Sequence, residues 1–399
     1  MNSRMIGDEE PKVQQLKPNY SVKRMNKSES PISTFTRKLK EHGVFKDGQN
    51  KKMIYLIYLK LFLSEPFRLI ERKKYKEYVD NIEPDNSPVF IIGHWRSGTT
   101  YTHLLLSQDP NFFFQSKYQN FFSDNFLTTE QFFKPVLSKF INMFQPIKHW
   151  KSSISKTMDL DTPSESDTAL IAEISEFTYH WAHLFPKAYE EYFNKFLFLE
   201  DISEQELSDW KNTMQTLLNK VYLKNNNGRL LIKNPGDTAR IKHLLDIYPG
   251  AKFIFLHRDP YEVFYSNLKL WSQVQKTVSL QSISEKEKKD IVLNVYRKLH
   301  QKYFEEKKLL NSNQLIEISH KELVEYPVQT LQDIYKKLEL PGFDKARPLF
   351  KEYLENHSTW RKSEYNFNRE DIRDINRHWD DAFDIWGYTK LIPDVYNPS

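Results

Sequence analysis

The segment PVFIIGHWRSGTTYTHLLL, residues 88–106, leaves this chain few folding options. An apolar run suited to a buried strand enters a loop framed by Gly93 and Gly98, and the loop opens straight into a helix-like pattern. A helix N-terminus offers free N–H groups and the positive end of its dipole to an anion. Gly98 lets the backbone approach closely. Ser97, Thr99 and Thr100 add hydroxyl donors, and Arg96 adds a guanidinium fork. The frame is the G-x4-G of a nucleotide phosphate loop, with Thr99 where a Walker lysine would stand. A plain strand–turn–helix with incidental hydroxyls is the bland reading, and the Arg-Ser-Gly-Thr-Thr run counts against it. The chain holds only 10 glycines in 399 residues, well below the usual share of roughly 7%. Two glycines five positions apart are therefore unlike background composition.

The rest of the chain repeats the strand–turn–helix theme. RLLI (229–232), KFIFL (252–256) and QLIEI (314–318) join PVFII (88–92) as short apolar runs of the kind buried in parallel sheets. Each precedes a helix-like pattern, which argues for βαβ units. Asp259 is placed to cap a helix with Pro260 in its first position, and Thr162 to cap another ahead of Pro163. Ile372, Ile375, Trp379, Phe383 and Trp386 recur at helical spacing, so one amphipathic helix is expected there, stopped by Gly387. The fold class is thus α/β: a P-loop-like parallel sheet flanked by helices, with helical insertions. Residues 1–30 read as disordered, and 31–399 as a single domain without a linker or an internal repeat.

Composition removes several classes. With no cysteine, a disulfide scaffold, a Cys-ligated metal site and a thiol nucleophile are out, and a cytoplasmic, reducing setting fits. A net charge of +5 with no basic block argues against a nucleic-acid binder but leaves room for a local basic pocket. The N-terminus lacks the apolar core of a signal peptide. The longest apolar run, Met53 to Leu63, includes Lys60 and is too short to span a bilayer. It packs as a core helix, or lies on an anionic membrane with the basic stretch that follows. The aromatic-rich residues 111–150 read as core helices, or in part as an apolar acceptor pocket.

A second anion site is suggested by KFIFLHRDPYEVFYSNLKLW. Arg258 stands at the carboxyl end of a strand, where open α/β sheets bind ligands, and Ser266 follows eight residues later on the next helix. Two such sites on one sheet suit a ligand with two separated phosphate groups. A kinase or NTPase would need the absent lysine and a magnesium-holding acid, which leaves a phosphate-like donor handled by Arg96 without a metal.

These segments resemble the sulfotransferases that use 3′-phosphoadenosine 5′-phosphosulfate (PAPS), and more narrowly their broad branch in bacteria and simple eukaryotes. GHWRSGTTYTHLLLSQDP and LLIKNPGDTARIKHLLDIYPGAKFIFLHRDPYEVFYSNLKLW carry the resemblance most specifically. LDTPSESDTAL, ELVEYPVQTLQDIYKKLELP and HWDDAFDIWGY fit more loosely, over roughly residues 50–390 in all. The resemblance implies that Arg96, Ser97, Gly98, Thr99 and Thr100 hold the 5′-phosphosulfate and that Arg258 and Ser266 hold the 3′-phosphate. Arg361 and Lys362 sit where relatives carry an Arg-Lys-Gly cofactor loop, with Ser363 in place of the glycine. It also implies a hydroxylated acceptor, for which lipid, steroid and phenol all suit the aromatic excess, although sugar-binding pockets are aromatic too.

Sulfuryl transfer needs charge stabilisation at the leaving oxygen and a base at the acceptor hydroxyl. Arg96 is the candidate for the first, as an electrostatic clamp, because Arg does not readily give up a proton. Glu165 is the candidate for the second, with Asp167 and His94 behind it. Thr162 to Glu165 also has the spacing of a helix capping box, and the two roles are compatible. His180 and His183 share a helical face without a third metal ligand and read as structural or pocket residues. Lys233, at a strand end, either reaches the site or makes a salt bridge. A small-molecule kinase and a membrane-peripheral binding protein are the competing functions.

Overall fold

The computed structural model describes residues 29–44, 50–82, 87–144, 159–225, 228–357 and 365–394. The expected disorder of residues 1–30 therefore falls, up to residue 28, outside the described residues. Helix α1 (Pro31–Glu41) and the long α2 (Lys51–Asp80) lead into β1 (Val89–Gly93), α3 (Thr99–Leu106) and β2 (Phe112–Phe113). Then come α4 (Lys117–Phe121), α5 (Phe126–Phe144), α6 (Asp167–Ala172), α7 (Glu204–Lys224) and β3 (Arg229–Lys233). A turn of 3-10 helix at Pro235–Ala239 separates β3 from β4 (Lys252–His257), α8 (Pro260–Thr277), α9 (Glu285–Glu306) and β5 (Leu315–Ser319). The described chain closes with α10 (Arg369–His378) and α11 (Asp380–Trp386). Further helices fill the gaps, among them Pro327–Lys337 and Phe343–Asn356 between β5 and α10.

The five strands form one parallel sheet in the order β2-β3-β1-β4-β5. Strand β1 is central, aligned with β3 through Val89–Leu231 and with β4 through Val89–Lys252. The chain runs outward from β1 to one side and then crosses to the other, so the carboxyl end of β1 lies at the reversal of strand order. That is where open α/β sheets take ligands.

Alternation along β1 splits the core. Val89 and Ile91 face Leu105, Leu106, Ile254 and Ile318 on one side of the sheet. Phe90 and Ile92 face Phe253, Phe255, Leu230 and Tyr303 on the other. All of these are buried, and each large side chain removed from water contributes about 1.5–3 kcal/mol. A third cluster, rich in aromatics such as Trp181, Trp210, Phe264 and Trp379, joins the helices that flank the site.

Three local expectations need correction. Thr162 does not cap a helix: its hydroxyl donates to the Asp159 carbonyl at 2.8 Å, and α6 starts five residues later at Asp167. The C-terminal amphipathic stretch is two helices, because Trp379 leaves helical geometry at φ −121° and ψ 25°, although Gly387 is the left-handed stop. The aromatic stretch supplies a strand as well as helices: Phe112 and Phe113 are β2, Tyr118 and Phe126 are buried, and Phe132, Phe133 and Phe140 are exposed. Residues 145–150 of that stretch lie outside the described residues.

Candidate active site

The loop between β1 and α3 is shaped by close packing. Gly93 has φ 133°, and a Cβ there would sit 2.3 Å from the Leu256 carbonyl oxygen. Gly98 has φ 107°, and a Cβ there would meet the His320 ring at 2.6 Å. Arg96 is itself left-handed at φ 73°, a conformation that costs a non-glycine residue free energy and concentrates at functional sites. The Ser97 N–H and hydroxyl both donate to the His94 carbonyl, at 3.2 and 2.7 Å, which curls the loop. Thr238 pins its base: the Gly93 N–H donates to the Thr238 hydroxyl at 2.7 Å, and that hydroxyl donates to the Gly93 carbonyl at 3.2 Å.

The loop delivers its hydroxyls and N–H groups to the carboxyl edge of the sheet. Ser97 and Thr99 are buried and Thr100 is exposed. Capping boxes close several helix N-termini, at Ser116, Ser203, Ser284 and Ser319, whereas α2, α3 and α6 carry no side-chain cap. Helix α3 begins after Gly98, and no side chain caps it. Its first-turn N–H groups thus face the crevice without a capping oxygen, the arrangement that suits an anion.

Arg96, Arg258 and Ser266 converge although they are far apart in sequence. The Arg96 Nε donates to the Ser266 hydroxyl at 2.8 Å, and the Arg258 guanidinium donates to the Arg96 carbonyl at 3.2 Å. Desolvation and the like charge of Arg258 both pull the Arg96 pKa downward, while Tyr365 opposes them. Two converging cations would be relieved by a dianion. Glu262, one helical turn beyond Arg258, takes the other side of its guanidinium at 2.6 and 2.8 Å. Asp259 fixes the start of α8 by accepting from the N–H groups of Tyr261 and Glu262 at 2.9 and 3.2 Å.

Glu165 and Lys233 form the second half of the crevice. Lys233 ends β3 and pairs with the Glu165 carboxylate at 2.7 Å, with both side chains largely buried. The Glu165 carbonyl accepts from Asn120 and Thr168, each at 2.6 Å, and the Ser166 N–H donates to the Lys233 carbonyl at 3.2 Å. The backbone around the carboxylate is thereby held, and the carboxylate serves no helix cap. Asp167 is different: it is wholly buried at 2.7 Å from Arg240, which also reaches Asp237 at 3.2 Å. It does not face the crevice.

His94 is buried behind the loop, its Nδ1 3.0 Å from the Trp95 carbonyl, and desolvation lowers its pKa to about 4. His180 and His183 touch through their Nδ1 atoms at 3.0 Å. Burial lowers the pKa of His183 to about 4, against an opposing pull from Glu165. Arg361 and Lys362 lie outside the described residues. Sequence reasoning missed Thr238, for which no local signal exists, and Glu262, for which the i,i+4 spacing from Arg258 was available.

A profile described as "Sulfotransferase family" matches residues 88–345. The omega-hydroxy-beta-dihydromenaquinone-9 sulfotransferases Stf3 of Mycobacterium bovis and Mycobacterium tuberculosis are 29% identical to this chain over 309 residues, covering 77% of it and 76% of theirs. The crystal structure of sulfotransferase STF9 from Mycobacterium avium matches with a TM-score of 0.68 at 16% identity, over 91% of this chain and 98% of that one. Sulfotransferase STF1 from Mycobacterium tuberculosis H37Rv matches with a TM-score of 0.62 at 16% identity, over 88% of this chain and 90% of that one. At those identities the structural likeness speaks for the fold.

Proposed function

This chain belongs to the sulfotransferase family, and from that premise we propose that it is a PAPS-dependent enzyme that sulfates the hydroxyl of a lipid-like acceptor. One observation carries the donor assignment: Arg96, Arg258 and Ser266 converge beside the uncapped N-terminus of α3. That set offers backbone N–H groups, hydroxyls and two guanidinium groups, the donors that a phosphosulfate and a separate phosphate require.

In this reading, bound PAPS supplies the activated sulfuryl group. Ser97, Gly98, Thr99 and Thr100 hold the 5′-phosphosulfate, and Arg258 and Ser266 hold the 3′-phosphate. Arg96 stands between the two, its backbone in the loop and its Nε on Ser266. It stabilises charge at the leaving oxygen electrostatically and transfers no proton. Arg361 and Lys362 complete the cofactor contacts on the strength of the resemblance alone.

Glu165 is the proposed base. The acceptor oxygen bonds to sulfur as the sulfur–oxygen bond to the phosphate breaks. The hydroxyl proton passes to Glu165, and the electron pair of the broken bond leaves with the bisphosphate. Lys233, 2.7 Å away, orients the carboxylate. Placing the acceptor among lipids follows the Stf3 relatives, which are named for a hydroxylated menaquinone, and agrees with the aromatic excess. On this reading the enzyme works in the cytoplasm, at the edge of the lipid phase.

Calorimetry with adenosine 3′,5′-bisphosphate tests the donor site, and labelled PAPS with hydroxylated quinones tests transfer. Saturable binding and a labelled lipid product are expected. No binding of the bisphosphate would remove the donor assignment. Binding with transfer only to phenols or sugars would remove the lipid.

A further inference from the structure

Helix α2 is 30 residues long, and only one side of it meets the protein. Leu61, Ser64, Glu71 and Val79 are buried, and Ile54, Ile57 and Tyr58 pack on the core. The other side carries Tyr55, Leu59, Phe62, Leu63 and Leu69, all exposed, at helical steps that align them in one stripe. Helix α5 lies alongside, joined by the edge contact of Phe67 with Phe133 at 5.2 Å. It extends the apolar face with Phe132, Val136 and Phe140, spaced four apart. Phe62 is 71% exposed, Phe132 69% and Val136 65%. Apolar patches that run across two helices are rare on free surfaces and mark a place of contact.

Charge identifies the occupant. Lys51 and Lys52 are exposed at one end of the stripe, and Arg72, Lys73 and Lys74 at the other. Between residues 51 and 74 the acids are Glu65, paired with Arg68 at 2.5 Å, and the buried Glu71, paired with Lys220 at 2.5 Å. A second copy of this chain laid antiparallel on the stripe would set basic end against basic end. A plane of anionic headgroups complements both ends at once. Among the described residues no helix is long and apolar enough to cross a membrane, so an apolar face rimmed by cations lies in the interface and not through it.

We propose that the paired faces of α2 and α5 dock this chain on an anionic phospholipid bilayer. The position is apt for the site described above. The Lys60 ammonium on α2 donates to the carbonyl of Ala172, the last residue of α6. Glu165 stands two residues before Asp167, the first residue of α6, about 10 Å from Ala172 at the helical rise. Docking therefore brings the bilayer to the Glu165 side of the crevice. Docking on the bilayer does not require that the acceptor be a lipid.

Vesicle flotation of the full chain, with neither donor nor acceptor present, is the test. The protein should float with vesicles of phosphatidylcholine mixed with phosphatidylglycerol, and much less with phosphatidylcholine alone. Phe62→Asp with Leu63→Asp should lower the partition coefficient at least about tenfold, and so should Lys73→Glu with Lys74→Glu. Phe132→Asp with Val136→Asp reports the same face from the other helix, should one variant fold poorly. An unchanged melting temperature and bisphosphate affinity separate lost docking from lost fold. Equal flotation of wild type and both apolar variants would overturn the proposal, as would wild type that floats with neither vesicle. A concentration-dependent dimer that Phe62→Asp disperses, without vesicle binding, would assign the face to self-association instead.

Discussion

Arg96 bonds the Ser266 hydroxyl while Arg258 bonds the Arg96 carbonyl, and that convergence sets the residue-scale expectations. A charge-assisted hydrogen bond to a phosphate is worth about 1.5–3 kcal/mol. Arg258→Ala should therefore weaken adenosine 3′,5′-bisphosphate binding by roughly 10- to 100-fold in calorimetry, and Arg258→Lys should recover only part, since lysine lacks the fork. Full affinity in Arg258→Ala would move the 3′-phosphate elsewhere. Glu165→Gln should behave in the opposite way. It removes the base but keeps the shape, so turnover should fall by about 10²- to 10⁴-fold with the bisphosphate affinity unchanged. If turnover survives, another group takes the proton. Gly93 has the narrowest tolerance of all: the 2.3 Å approach of a Cβ to the Leu256 carbonyl oxygen would force β1 away from β4.

The elements position these residues, and α8 positions two of them, with Ser266 on its second turn and Arg258 just ahead of its cap Asp259. Asp259 alone supplies the side-chain cap. Asp259→Ala should cost about 1 kcal/mol, read as a lower urea midpoint at unchanged slope, and bisphosphate affinity should drop with it because Arg258 precedes the loosened turn. An unshifted midpoint would show that the packing of Phe264 against Trp379 fixes the helix without the cap. At this scale the sequence was most informative. Buried parallel strands are continuous apolar runs, so β1, β3, β4 and β5 were readable to within a residue, as was the phosphate-loop frame. β2 was not, because a two-residue strand has no period and sits inside a run of Phe. The Thr-Pro-Ser-Glu segment has capping spacing, yet Ser166 ties to β3 and delays the helix to Asp167. The pairs Glu165–Lys233 and Gly93–Thr238 are 68 and 145 residues apart, and no local pattern encodes such contacts. Exposure of the α2 stripe was equally hidden, since an apolar period looks the same whether the protein or a bilayer covers it.

For the whole molecule, the buried histidines dictate how stability changes with pH. Burial is the first cause in each case: it lowers His94, His183 and His257 to about 4 and His300 to about 3, and His103 and His180 well below their ordinary value. In the unfolded chain each titrates near 6.5. Between roughly pH 6.5 and 4 the unfolded chain binds protons that the folded chain refuses, so stability rises with pH across that window and is lost as pH falls through it. Two acids work most strongly against this. Burial raises Glu173 to about 7, and burial with the neighbouring Asp167 raises Asp237. Those groups favour the fold at low pH and lose that contribution as pH rises toward 7. His42 and His243 are lowered as well, and Glu71, Asp124, Asp259 and Glu306 are raised, so eight histidines stand against six carboxyls, and each group is worth up to about 1.4 kcal/mol per pH unit. The melting temperature should therefore fall steadily from pH 7 to pH 5. His300 gives the cleanest check: its Nδ1 donates to the Tyr296 carbonyl at 2.8 Å and its ring packs on Tyr296 at a tilt of 40° with centroids 3.9 Å apart. His300→Asn keeps a donor for that carbonyl but removes the titration. It should melt lower than wild type at pH 7, from lost packing, and yet lose less on going to pH 5. Parallel melting curves for the two proteins across that range would place the acid sensitivity in groups other than the buried histidines.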